Sequence, residues 1–329
     1  MPDTAPHLLF AALGGTIAST SNNLGGVAPA LSGAEIAAAA GLEDIWPDLH
    51  AEFAQVAQVS SANVTLDILH DVVELARTSR ASGLVLTQGT DTLEESAFGL
   101  WLLNDSGLPI AATGAMRNPT LPGADGPANV RAAAMAVLSP ALRHLPCTLV
   151  FNDEVHDPRF VRKTHITSTA AFSSGPVLGA IGWISERTVL APHAPRPWSS
   201  PFAGLRRPAA FAPIALVEVG MGEGPQALQA IVETDFAGAV ISGVGGGHIP
   251  EHLITEVEEL AQTVPLVLAS RPGSGASLRD TYSYPGGEIG LLTAGLIPAG
   301  ILDARKARML LSLSLSYGLD PAEVFAAVA

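Results

Sequence analysis

Two short runs constrain the fold more than anything else in the chain. His7-Leu8-Leu9-Phe10-Ala11-Ala12-Leu13 and Gly83-Leu84-Val85-Leu86-Thr87 are apolar at nearly every position rather than at alternate ones, and each breaks on glycine followed by threonine. A strand without a polar face has to be covered on both sides, which is the condition of a central strand in a parallel sheet packed between helices. In open sheets of that kind ligands collect at the carboxyl ends of the strands. Gly14-Gly15 and Gly89 allow close backbone approach at those ends, and they deliver the hydroxyls of Thr16 and Thr90 to the crevice. The plainer alternative is that glycine and threonine here form only a turn and a helix cap.

The rest of the chain alternates strand and helix in the same way. Helical spacing is expected over Gly33 to Ala40 and over Leu66 to Arg80, where Leu66, Leu69, Val72, Val73 and Ala76 share a face, and again from Leu93 to Leu103. Strands are expected at Val56 to Thr65, running into polar residues, at Pro109 to Gly114 and at Thr148 to Asn152. The loop Ser19 to Pro29 is expected to cover the end of the first strand. From Ser185 to Pro213 prolines break all periodicity, and beyond them strands at 214–219, 238–242 and 265–270 alternate with helices at 226–233, 251–262 and a final 304–317. The fold class is therefore α/β, with right-handed crossovers: a larger N-terminal parallel-sheet domain over 1–190, a proline-rich linker over 191–213 and a smaller C-terminal α/β domain over 214–329. No internal repeat is visible.

Composition removes several functions. With 17 Lys plus Arg against 31 Asp plus Glu in 329 residues, the net charge of -14 argues against nucleic acid or an anionic membrane as partner. No apolar run approaches the roughly 20 residues that a bilayer needs. The start of the chain lacks the basic segment and cleavage site of an export signal, so a cytoplasmic location is expected. The single cysteine, Cys147, lies in an apolar run and reads as core. The glycine run Gly243-Val244-Gly245-Gly246-Gly247-His248 lacks the spacing of a phosphate cradle, and no His-Glu-x-x-His or Cys-x-x-Cys occurs. No cofactor and no metal are expected.

Five separated segments together resemble the bacterial-type L-asparaginase (asparaginase/glutaminase) family. They are Gly14-Gly15-Thr16-Ile17-Ala18, Gln88-Gly89-Thr90-Asp91-Thr92, Gly114-Ala115-Met116-Arg117, the run from Ala124-Asp125-Gly126-Pro127 to Asn129, and Lys163 ahead of a Thr-rich stretch and Ala171-Phe172. The resemblance implies a threonine nucleophile, Thr16, that attacks a side-chain amide. It implies a Thr90–Lys163–Asp91 group that relays the proton, with Lys163 desolvated and its pKa lowered, and backbone donors near Gly15 and Thr90 for the oxyanion. Substrate contacts follow at Ser61, Gly89 and Asp91, with the Ala115 backbone on the leaving amide. Asp125 and Asn129 equally suit the pinning of a loop.

The match has departures. Leu13 stands where the family usually has Thr, Gln88 where it has His, and Ala62 where it often has Gln or Glu. The loop Ser19 to Pro29 holds none of the family's tyrosine. Tyr282, Tyr284 and Glu288 lie in the segment that the resemblance implies is lent to a neighbouring subunit, within a homotetramer built from intimate dimers. Hydrolysis of L-asparagine is the expected activity. L-glutamine, D-asparagine or a substituted aspartyl amide are alternative substrates, and non-catalytic amino-acid binding is the alternative class.

Overall fold

The computed structural model describes residues 5–14, 19–21, 27–29, 35 and 38–328, and the chain divides into two compact units, Met1–Gly204 and Leu205–Ala329. The first is built on an eight-stranded sheet: β1 (His7–Ala12), β2 (His50–Gln55), β3 (Gly83–Thr87), β4 (Ile110–Thr113), β5 (Cys147–Phe151), β6 (Glu154–His156), β7 (Gly182–Ser185) and β8 (Thr188–Leu190). Across the sheet the order is β8-β7-β6-β5-β4-β3-β1-β2. The five strands from β2 to β5 are parallel, and β6, β7 and β8 extend the β5 side antiparallel. The larger sheet is thus mixed around a parallel centre.

Burial follows the apolar runs. Every residue of β3, β4 and β5 is buried. Helix α1 (Leu66–Thr78) buries Leu69, Val72, Val73 and Ala76, with the Thr65 side chain capping its amino end. Helix α2 (Leu93–Leu103) is buried at ten of its eleven positions, its run from Ala97 to Leu103 being apolar throughout after Glu94, Glu95 and Ser96 in the first turn. Helix α3 (Gly126–Leu138) brings Ala132, Ala133, Ala134 and Ala136 into the core with Val85, Ala111 and Val150. Cys147 is fully buried, and that burial pushes its thiol well above the usual range, as befits a core residue.

One local expectation changes. The strand expected over Val56 to Thr65 lies earlier, at β2. This strand ends the sheet, so its residues are half exposed and its sequence, His-Ala-Glu-Phe-Ala-Gln, mixes polar with apolar. The residues after it hydrogen-bond back to the end of β1 instead, Val56 to the Ala12 carbonyl and Val59 to that of Leu13. The helix expected at Gly33 to Ala40 falls largely outside the described residues. In the loop Ser19 to Pro29, Ser19–Ser21 and Val27–Pro29 pair as an antiparallel ladder.

The proline-rich stretch after β8 is anchored to the first unit. Trp198 stacks on Trp101 with ring centroids 3.9 Å apart, Phe202 is buried, and the Gly204 N–H donates to Asp105 at 2.7 Å.

The second unit has four parallel strands in sequential order: β9 (Ile214–Glu218), β10 (Gly238–Gly243), β11 (Leu266–Ser270) and β12 (Ile297–Pro298). Helices α4 (Gln226–Val232) and α5 (Ile254–Ala261) contribute Leu228, Ile231, Val257 and Leu260 to a core with Ala239, Ile241 and Leu268. After α6 (Glu288–Thr293), helix α7 (Ala304–Ser316) lies against β9, β10 and β11. A helix not expected from the sequence, α8 (Pro321–Val328), follows and buries Val324, Phe325 and Val328.

Candidate active site

At the carboxyl end of β3 the chain turns through Gly89 into a short helical turn, Thr90–Thr92, that opens α2. Thr90 is buried in this turn, whereas the Asp91 side chain stays 69% exposed. Gly114, at the end of the adjacent β4, permits the close packing. A Cβ there would stand 2.6 Å from the Gln88 carbonyl oxygen and 3.3 Å from the Thr90 methyl, so the Gly114-Ala115 segment lies directly against Thr90. Asp125 fixes the same segment by accepting the N–H groups of Met116 and Arg117 at 3.0 and 2.8 Å, and the Asn129 amide donates to the Gly114 carbonyl at 3.0 Å. Asp125 and Asn129 therefore pin this loop.

Lys163 arrives from a separate ladder. Arg162–Lys163 pairs antiparallel with Phe172–Ser173, and the buried Phe172 packs on Phe151 of β5 with centroids 4.8 Å apart. The Lys163 ammonium donates to Thr90 Oγ1 at 2.9 Å and to Asp91 Oδ1 at 2.9 Å, which ties hydroxyl, ammonium and carboxylate together across 73 residues of sequence. Ser61, buried, completes the arrangement. Its hydroxyl donates to Asp91 Oδ2 at 3.1 Å and accepts the Asp91 N–H at 3.2 Å, while the Thr92 hydroxyl donates to the Ser61 carbonyl at 2.7 Å. The hydrogen bond from Lys163 holds the Asp91 carboxyl below the usual carboxylate range, against the opposing effect of partial burial, with the Lys163 charge and Ser61 adding to the lowering.

Thr90, Asp91, Lys163 and Ser61 thus share one polar cluster, with Gly89 and Ala115 at its edge. Gly15 and Thr16 lie outside the described residues. The chain leading to them leaves β1 at Leu13, whose N–H donates to the Thr87 carbonyl at 2.9 Å, and at Gly14, which adopts φ +96° where a Cβ would strike the Val59 carbonyl. Gly114 and Thr92 stand in the sequence motifs with no role of their own, because a glycine that permits close approach looks like any turn glycine and a helix-opening threonine like any cap.

Tyr282, Tyr284 and Glu288 belong to the second unit. Glu288 is buried, and its carboxylate accepts the N–H groups of Thr281 and Tyr282 at 2.7 and 2.8 Å and faces His248 Nε2 at 3.1 Å. Burial alone would raise its pKa, but those backbone donors and His248 hold it below the usual range. The Tyr284 hydroxyl is 2.8 Å from His248 Nδ1, and the Tyr282 ring meets the imidazole edge-on at 5.1 Å. His248, read from the sequence only as the end of a glycine run, is the centre of this group.

A hydroxyl, an ammonium and a carboxylate gathered where a doubly covered parallel strand ends make this an α/β protein of the enzyme class. The sequence pattern described as "Asparaginase, N-terminal" matches residues 7–195, and that of the "Glutaminase/Asparaginase C-terminal domain" matches 213–327. The chain belongs to the bacterial-type asparaginase/glutaminase family, and its activity is that of a hydrolase of the amidohydrolase type. A probable L-asparaginase of Deinococcus radiodurans is 35% identical over 98% of this chain and 97% of its own length. An L-asparaginase of Bacillus licheniformis is 30% identical over 92% and 93%. A glutaminase-asparaginase of Acinetobacter glutaminasificans is 30% identical over 82% of each. No helix among the described residues is long and apolar enough to cross a membrane.

Proposed function

We propose that the chain hydrolyses L-asparagine to L-aspartate and ammonia through an acyl-enzyme on Thr16. The observation that carries the reading is Lys163, whose ammonium bridges the Thr90 hydroxyl and the Asp91 carboxylate. In the reaction the Thr16 oxygen adds to the amide carbon and loses its proton, and the carbonyl oxygen takes the negative charge against backbone N–H donors. Collapse of this intermediate expels the amide nitrogen, which leaves as ammonia after gaining a proton. Water, one proton of which passes through the Thr90 hydroxyl to Lys163 in its neutral amine form, then adds to the ester carbon, and Thr16 takes that proton back as its hydroxyl when aspartate departs. Asp91 receives the substrate ammonium on the carboxylate that Ser61 orients, and Ser61 with nearby backbone amides receives the α-carboxylate. The Gly89 turn and the Ala115 backbone complete the pocket.

L-Glutamine is the second reading. Ala62 and the loop without tyrosine remove contacts that would grip a short substrate, and relatives named glutaminase-asparaginase lie in the same similarity range. Tyr282 or Tyr284, lent by a neighbouring subunit of a homotetramer, supplies the missing hydroxyl in this scheme. Glu288 holds their loop, and the enzyme works in the cytoplasm.

Ammonia release over L-asparagine, L-glutamine, D-asparagine and a substituted aspartyl amide tests the substrate, with L-asparagine expected to lead by at least tenfold in kcat/KM. Thr16→Ala should abolish turnover on all of them; retained activity would remove Thr16 from the mechanism. Binding of aspartate without turnover in the unaltered protein would replace catalysis by amino-acid capture. Light scattering after size exclusion reads the tetramer, and cell fractionation reads the location.

A further inference from the structure

The amino ends of β1 and β2 carry a group of side chains that the amide chemistry does not use. In this parallel pair His7 is the register partner of His50, and Glu52, two residues further along β2, points to the same side of the sheet. The two imidazole rings lie 4.4 Å apart, and His7 Nε2 is 3.0 Å from Glu52 Oε1. One nitrogen from each histidine and one oxygen of Glu52 all fall within 4.8 Å of one another. Although Glu52 is so near, His7 Nε2 is buried and makes no hydrogen bond. A buried imidazole nitrogen in that condition calls for an explanation.

We propose that His7, His50 and Glu52 form a site for a divalent transition-metal ion of the zinc class. Two imidazoles and one carboxylate are a donor set that suits zinc, with water in the remaining position. Ligands about 2.1 Å from one ion stand at most about 4.2 Å apart, so the present spacing closes with a small rotation of the exposed His50 and Glu52 side chains. The net charge of -14 favours the approach of a cation.

The consequence is mechanical rather than catalytic. Thr90 follows the carboxyl end of β3, whereas this site clasps the opposite ends of β1 and β2. The edge strand β2 has only β1 as a sheet neighbour among the described residues, and it leads within six residues to Ser61. A bound ion ties that strand to the body of the sheet and stabilises the folded unit by mass action.

The test titrates zinc chloride into the full chain, freed of affinity tag and stripped with chelator, by calorimetry. One ion per chain is expected, with micromolar or tighter affinity and a zinc-dependent rise in Tm. His50→Ala and Glu52→Gln should each weaken binding at least tenfold and remove the rise. Both variants should hydrolyse amides at the unaltered rate, a control that the fold is intact. Absence of stoichiometric binding, or unchanged affinity in either variant, would overturn the site.

Discussion

Two polar clusters sit at strand ends in this molecule, and they differ in what their carboxylates are doing. After β3, Asp91 is mostly exposed and its oxygens face a serine hydroxyl and a lysine ammonium, both side-chain groups. In the second, where His248 follows β10, Glu288 at the start of α6 is buried and one of its oxygens is engaged by two backbone N–H groups. Side-chain partners on an open carboxylate leave it able to exchange one of them for a substrate ammonium. Backbone partners around a closed carboxylate make it a strut for the 281–284 loop. The two acids thus serve opposite ends: one is there to be met, the other to hold something in place.

Replacement of Lys163 by Met should give the largest effect and break the comparison most directly. Loss of a positioned proton-transfer group lowers kcat by about 10²–10⁴-fold, while Tm should hardly move, because an ion pair with an exposed partner contributes at most about 1 kcal/mol. A variant that lost stability and kept its rate would make the first cluster structural after all. Gly114→Ala should come next: its Cβ must displace the Gln88 carbonyl or the Thr90 side chain, at about 1–3 kcal/mol in denaturant midpoints, with a fall in rate alongside.

The second cluster predicts the reverse pattern. Glu288→Ala strands two backbone donors and should cost about 1–3 kcal/mol, with kcat changed far less than by Lys163→Met. The smallest effect concerns acid. Asp91 has a folded-state pKa below the ordinary 3.8, so the stability contributed by its ionised form is complete above that pH and is lost as pH falls through the folded value. Urea midpoints between pH 2 and 6 should therefore show a shallower acid decline in Asp91→Asn than in the unaltered chain; parallel curves would mean that Asp91 is not held in its pair.

How far the sequence announced all this depended on burial. Strands covered on both faces, β1 and β3 to β5, declare themselves by nearly uninterrupted apolar letters, and α2 does so by its apolar run from Ala97 to Leu103. The exposed edge strand β2 hides among mixed residues, and α8, two turns beyond a glycine, has too little length to show a period. Neither Thr90 with Lys163 nor Ser61 with Asp91 was legible from spacing, since these pairs are 73 and 30 residues apart; resemblance supplied their roles. His248 had no such help, because the tight turn it closes, with Gly247 at φ +108°, reads as glycine punctuation. The His7, His50 and Glu52 group escaped for a related reason: its members meet through strand register, which no local motif encodes.

The aromatic residues offer a last consequence. All four tryptophans, Trp46, Trp101, Trp183 and Trp198, fall in the first unit, and all three tyrosines, Tyr282, Tyr284 and Tyr317, fall in the second. Trp101 and Trp198 are stacked at 3.9 Å, with the Arg159 guanidinium 5.1 Å from the Trp101 ring, so emission excited at the red edge reports the melting of the catalytic half alone. The tyrosine band, separated from that of tryptophan in the derivative absorbance spectrum, follows the other half, so the chain carries an optical thermometer for each body.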